Sequence, residues 1–121
     1  MSYLTIVEQL KKLLTDLEQF LIIIPNNIEE IYIQLMPITE EKLYCEAVSN
    51  QFLPKKYQLN SKKISQLQQL GFHKSEEDCN YVLEYDVKDE SAFEDLAKLI
   101  LKIFVEIYGI IVNDFSFVLD S

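Results

Sequence analysis

The chain has 121 residues, 49% of them apolar, with 11 basic and 20 acidic side chains and a net charge of -9. That length fits one domain with enough apolar residues for a real core. The negative balance argues against nucleic acid and anionic membrane as partners and leaves a basic or amphipathic protein partner in place.

The spacing of Val7, Leu10, Leu14, Leu17 and Leu21, with Leu4 one step earlier, predicts an amphipathic helix beginning near Ser2 to Thr5. Thr5 and Glu8 have the spacing of a capping box. The stripe is too short for a coiled coil, so the helix is expected to pack on a sheet. "FLIII", residues 20–24, either closes this helix or opens a strand, and Pro25, Asn26 and Asn27 make a turn. The start "MSYLTIVEQLKK" lacks the basic and apolar regions of a secretory signal, and "FLIII" is too short to span a bilayer. A cytoplasmic protein is expected, with Cys45 and Cys79 as reduced thiols rather than a disulfide.

"IEEIYIQLMP" alternates, with Ile31, Ile33 and Leu35 opposed to Tyr32, Gln34 and Met36. After a connection over 37–41, "KLYCEAV" alternates again, Leu43, Cys45 and Ala47 against Tyr44, Glu46 and Val48. The pair predicts an antiparallel hairpin. In the connector "SNQFLP", residues 49–54, Phe52 and Leu53 are expected to pin the next helix on the sheet, with partner contact as the alternative.

"NSKKISQLQQLG" reads as a second helix with a narrow stripe of Ile64, Leu67 and Leu70. Asn60 or Ser61 caps it, and Gly71 takes the left-handed position after its end. Beyond an acidic stretch, "NYVLEYDV" predicts a strand with Tyr81, Leu83, Tyr85 and Val87 on one face. The last helix runs from Asp89 or Ser91 to Tyr108, and Ser91 with Glu94 fits a capping box. Its body has a single polar stripe, Lys98, Lys102 and Glu106, so it must be buried on more than one side. Either the tail covers the remainder or another subunit does. Leu99, Ile103, Phe104 and Ile107 are the expected dimer interface.

The tail "GIIVNDFSFVLDS" alternates at Phe115, Phe117 and Leu119 and either adds a strand or packs across this helix. The whole reads as α+β, a mostly antiparallel sheet with helices on one face in the order α-β-β-β-α-β-α. Residues 1–121 are expected to form one domain, with 109–121 as an apolar extension.

No catalytic, metal or cofactor pattern is visible: there is no glycine-rich phosphate loop, no GxSxG and no HExxH. His73 is the single histidine and reads as a surface residue. Cys45 faces the core, Cys79 lacks a histidine or CxxC partner, and Glu76, Glu77 and Asp78 lack the spacing of a calcium loop. A partly apolar outer face of Tyr32, Gln34, Met36, Tyr44 and Val48 suits protein contact, unless the tail or last helix covers it.

"YCEAVSNQFLPKKYQLNSKKISQLQQLGFHKSEEDCNYVLEYDV" resembles the type III secretion chaperone-like domains, in particular the actinobacterial and cyanobacterial branches related to YbjN proteins. The shared features are a strand ending in "CEAVSNQFL", a helix ending in "LQQLGF", an acidic loop, "NYVLEY" and a long final helix, over roughly residues 3–108. The resemblance implies a small acidic α+β protein, often a homodimer, without enzymatic activity, that holds a partly unfolded segment of a client. The tail after Gly109 has no counterpart in that pattern. The expected function is therefore protein or peptide binding without a cofactor. An adaptor for a folded partner is the alternative, followed by a small enzyme using Cys79 or the acidic loop.

Overall fold

The computed structural model describes residues 3–26, 28–74, 79–111 and 114–121. In chain order it forms α1 (Leu4–Leu13), β1 (Phe20–Pro25), β2 (Ile33–Thr39), β3 (Lys42–Ala47), α2 (Ser61–Gln69), β4 (Tyr81–Asp86), α3 (Glu90–Lys102) and β5 (Phe115–Asp120). A 3-10 turn, Lys55–Tyr57, precedes α2, and a π-helical turn, Ile103–Ile107, continues α3. The strands make one sheet in the order β4-β3-β2-β1-β5, every pairing antiparallel. This is the expected α+β architecture, and the tail supplies the fifth strand.

Alternation sorts the sheet into two faces. Leu83, Cys45, Leu35, Leu21 and Leu119 form one row across all five strands, and Tyr81, Ala47, Ile33, Ile23 and Phe117 form the next. These rows carry the core, with Leu21, Ile23, Leu35 and Ala47 wholly enclosed. Side chains between them point the other way and, apart from the buried Val82, are half-buried or exposed, so the described helices cover one face only.

The first helix is shorter than its leucine spacing predicts. Thr15 Oγ1 donates to the Lys12 carbonyl at 2.7 Å, and the Gln19 amide donates to the Lys12 and Leu13 carbonyls. These side chains satisfy the last carbonyls and let the chain leave the helix. The buried face becomes Ile6, Val7, Leu10 and Leu13, while Leu4 and Leu17 are exposed and Leu21 belongs to β1. Tyr3 is the N-cap and makes no side-chain bond, so Thr5 lies inside the helix and the Thr5–Glu8 capping box does not form. The β-branched run "FLIII" is strand, as its residue types favour.

The second helix closes as its sequence predicts. The Asn60 side chain accepts from Lys63 N at 2.9 Å. At the other end Gly71 N–H bonds the Gln68 carbonyl and Phe72 N–H bonds the Leu67 carbonyl, a Schellman motif. Gly71 has φ 102°, a backbone conformation that favours glycine, and a Cβ there would sit 3.0 Å from Leu83 Cδ1, a tight contact. Phe72 folds back into the core. The third helix is capped by Asp89, whose carboxylate accepts from Ala92 N at 2.9 Å and from Ser91 Oγ at 2.8 Å. Ser91 thus serves the cap residue instead of forming its own box with Glu94. These bonds, that from Ser91 foremost, hold the Asp89 carboxyl below the usual range.

Ile103, Phe104 and Ile107 lie in the core, at 1%, 0% and 4% exposure, and cannot form a surface for a second subunit. Leu99 is half-buried and packs against the same core. The protein's own elements cover this helix. Helix α1 lies alongside α3, α2 packs on the π turn, and the Phe115 ring is 5.2 Å from that of Phe104.

Candidate functional site

The second face of the sheet carries no helix among the described residues. One row across it reads Val82, Glu46, Gln34, Ile22 and Val118. The next begins Glu84, Tyr44 and Met36, with Phe20 paired to Asp120 further across, and Ile24 pairs with Ser116 on the far side. Phe20, Ile22, Ile24, Gln34, Met36 and Tyr44 are half-buried by their neighbours, while Glu84, Ser116, Val118 and Asp120 are exposed. The result is an apolar band across β1, β2 and β3, interrupted by Gln34 and Glu46, with Glu84 and Asp120 on the edge strands. Lys42 is the only ammonium on the described strands and pairs with Asp86 at 3.8 Å. At the β4 side, Tyr44, His73, Val82, Leu83 and Glu84 line a depression of about 310 Å³.

Gln34, Met36 and Tyr44 come together here, with Met36 directly opposite Tyr44. Tyr32 is engaged elsewhere: its hydroxyl accepts from Asn80 Nδ2 at 3.2 Å, and its ring packs against the core. Val48 departs from the alternation. The strand ends at Ala47, the next residue turns inward, and Val48 is wholly buried, with its carbonyl accepting from the Tyr108 hydroxyl at 2.6 Å. Burial pushes the Tyr108 phenol up, so it stays a neutral donor.

The connector after β3 splits its two apolar residues. Asn50 Nδ2 donates to the Leu59 carbonyl at 2.9 Å and Asn50 Oδ1 accepts from Leu59 N at 2.7 Å, folding the segment back on itself. Leu53, at 5% exposure, enters the core, whereas Phe52 stays 49% exposed. Leu53 is thus a core residue, whereas Phe52, expected to join it, stays on the surface.

Phe20, Ile22, Ile24 and Val118 belong to the same face but escape the sequence reading. Their signal was the alternation inside "FLIII" and "FSFVL", hidden while the first remained helix or strand and the second strand or strap.

Among the described residues, reactive side chains do not converge. His73 is exposed, and its backbone forms a two-bond bridge to Val82. Among the described residues no three His, Cys, Asp or Glu side chains gather as metal ligands would. Glu76, Glu77 and Asp78 lie outside the described residues. Cys45 is enclosed and burial pushes its thiol from an ordinary 9.0 to about 12, whereas Cys79 is exposed. A thiolate is the reactive form. A maleimide at neutral pH should therefore label one cysteine per folded chain, Cys79, and two in denaturant, read by mass spectrometry. Labelling of Cys45 in the folded chain would show that the sheet opens.

A family profile described as T3SS (YopN, CesT) and YbjN peptide-binding chaperone 3 matches residues 5–116. The chain belongs to this peptide-binding chaperone family. No match was found among curated proteins or solved structures. Within the peptide-binding chaperone family match lie α1, the hairpin, α2, β4 and α3, but most of β5 falls beyond it. No helix of the described residues is long and apolar enough to cross a membrane.

Proposed function

We propose that this chain is a non-enzymatic, cytoplasmic holder of polypeptide clients, acting as one domain over residues 1–121. Its open sheet face grips an extended segment in which apolar side chains alternate with basic ones. The observation that supports this reading is the composition of that face. Phe20, Ile22, Ile24, Met36 and Tyr44 form an apolar band, and Glu84 and Asp120 lie outside it. Apolar area supplies affinity, and methionine and tyrosine adapt to varied side chains. Carboxylates at the rim favour a basic segment and speed its encounter. They also keep the empty face soluble.

Fluorescence anisotropy with labelled peptides of about 20 residues tests this, a length near the scale of an interface side. Basic-apolar peptides should bind, acidic-apolar peptides of matched composition should not, and binding should weaken as salt rises. Met36→Glu and Ile22→Lys, in the middle of the face, should each weaken binding at least tenfold, about 1.4 kcal/mol. Glu84→Lys should reduce the preference for basic peptides without unfolding the chain. Equal binding of both peptide classes would remove the charge argument. Absence of any peptide binding, with a stoichiometric complex to a folded protein, would put an adaptor in its place.

A further inference from the structure

The depression at the β4 side of the open face is built by strand pairing. Val82 pairs with Glu46 on β3 and, through backbone bonds of 2.9 and 2.8 Å, with His73 on its outer side. Paired residues share a face, so His73, Val82 and Glu46 stand in one row. In the next row Glu84 lies opposite Tyr44, which lies opposite Met36. Val82, at 3% exposure, is the floor, and Tyr44, His73 and Glu84 stand around about 310 Å³. Ligand pockets run from about 300 to 1,000 Å³, so this one suits a single long side chain. Glu84 is exposed, and the ion pairs among the described residues, Lys11–Glu90 and Lys42–Asp86, do not include it.

We propose that this depression seats one arginine side chain of a bound polypeptide, with its stem on Val82 and its guanidinium against the Tyr44 ring and paired with Glu84. Such a seat depends on the peptide-holding reading above and names which basic residue the face selects, and where.

An apolar floor, an aromatic ring and a carboxylate meet here on two paired strands. Neighbouring strands lie about 4.8 Å apart, so Tyr44 and Glu84 can address the same group. Arginine answers all three. Its methylene stem covers apolar surface while its charge stays in water. Its planar head stacks on an aromatic ring and offers a carboxylate two parallel N–H donors. A lysine ammonium is a compact, strongly hydrated charge that lacks this fork and flat face. An apolar client side chain would cover Val82 but desolvate Glu84 without pairing it. Glu46, half-buried beside Val82, adds negative charge, and the strand ammonium of Lys42 is already paired with Asp86.

Anisotropy with two labelled peptides of about 20 residues tests the seat. Their alternating apolar and basic sequences are identical, except that every basic residue is arginine in one and lysine in the other. At equal charge the arginine peptide should bind about fivefold more tightly. Glu84→Gln and Tyr44→Leu should each bring that ratio near one, whereas Asp120→Asn, on the far edge strand, should leave it unchanged. Glu84→Gln should melt as the wild type does. N-acetyl-argininamide at millimolar concentration should shift the backbone amide signals of Tyr44, Val82 and Glu84 in nuclear magnetic resonance spectra, and N-acetyl-lysinamide should shift them less. Equal binding of the two peptides, or a ratio that survives Glu84→Gln, would overturn the arginine seat and leave the peptide-holding face standing. Argininamide shifts that vanish in Glu84→Gln, without binding of either peptide, would uphold a guanidinium seat and remove the peptide-holding reading. No shifts and no peptide binding would overturn both.

Discussion

Phe104→Glu should leave no cooperatively folded protein, and Phe104→Ala should lose about 3–5 kcal/mol of stability. The Phe104 side chain is 0% exposed, with its ring 5.2 Å from Phe115 and 6.5 Å from Tyr108. It joins the π turn to the tail strand. Removing the ring leaves a cavity that the surrounding sheet and helices cannot readily collapse. Replacing it with a carboxylate adds an unpaired buried charge worth several kcal/mol. A domain of this size has roughly 5–15 kcal/mol in total. The neighbouring Val105→Glu is the control: Val105 is 51% exposed, and its replacement should change stability by no more than about 0.5 kcal/mol. Urea unfolding followed by circular dichroism reads all three variants. A stable, folded Phe104→Glu monomer recovered from a wild-type dimer would instead restore the last helix as the subunit interface.

That helix shows where sequence reading stops. Its composition states correctly that more than one surface must bury it, since only Lys98, Lys102 and Glu106 interrupt the apolar set along its body. It does not state which surface, because side-chain pattern carries no information about partners distant in sequence. Here the partners are α1, α2 and Phe115 of the same chain. Elements with local punctuation were legible almost to the residue. Asn60, Gly71 and Phe72 define α2, since each makes a bond or turn within a few residues. The end of α1 was not, because leucines continue at helical spacing through Leu17 while Thr15 and Gln19 take the carbonyls that would have continued it. The candidate site was half legible. Gln34, Met36 and Tyr44 follow from alternation within strands, whereas Phe20, Ile22, Ile24 and Val118 join them only through the pairing of β1 with β2 and β5. Val48 was misplaced because alternation was carried one residue past the end of β3.

Deleting the chain after Gly109 should yield insoluble protein or a chain without a cooperative unfolding transition. Gly109, at φ 68°, turns the backbone out of the π turn and toward the tail. The tail then returns Ile110 and Phe115 to the core at 5% and 7% exposure. Loss of those two side chains alone removes about 3–6 kcal/mol of burial. The deletion also strips six paired residues from β1 and uncovers the wholly buried Leu21 and Ile23 beside a bare strand edge. An apolar, unpaired edge of this kind is an aggregation site. Two milder variants locate the effect. Ile111→Ser, at a residue 89% exposed, should be neutral within about 0.5 kcal/mol. Phe115→Ala should cost about 3–5 kcal/mol, because it removes the contact with Phe104 while leaving the strand in place. A truncated chain that remains soluble, melts cooperatively and binds peptides more tightly than the full chain would reverse the assignment. The tail would then occupy a client's place on β1, and the site would lie at that edge rather than on the open face.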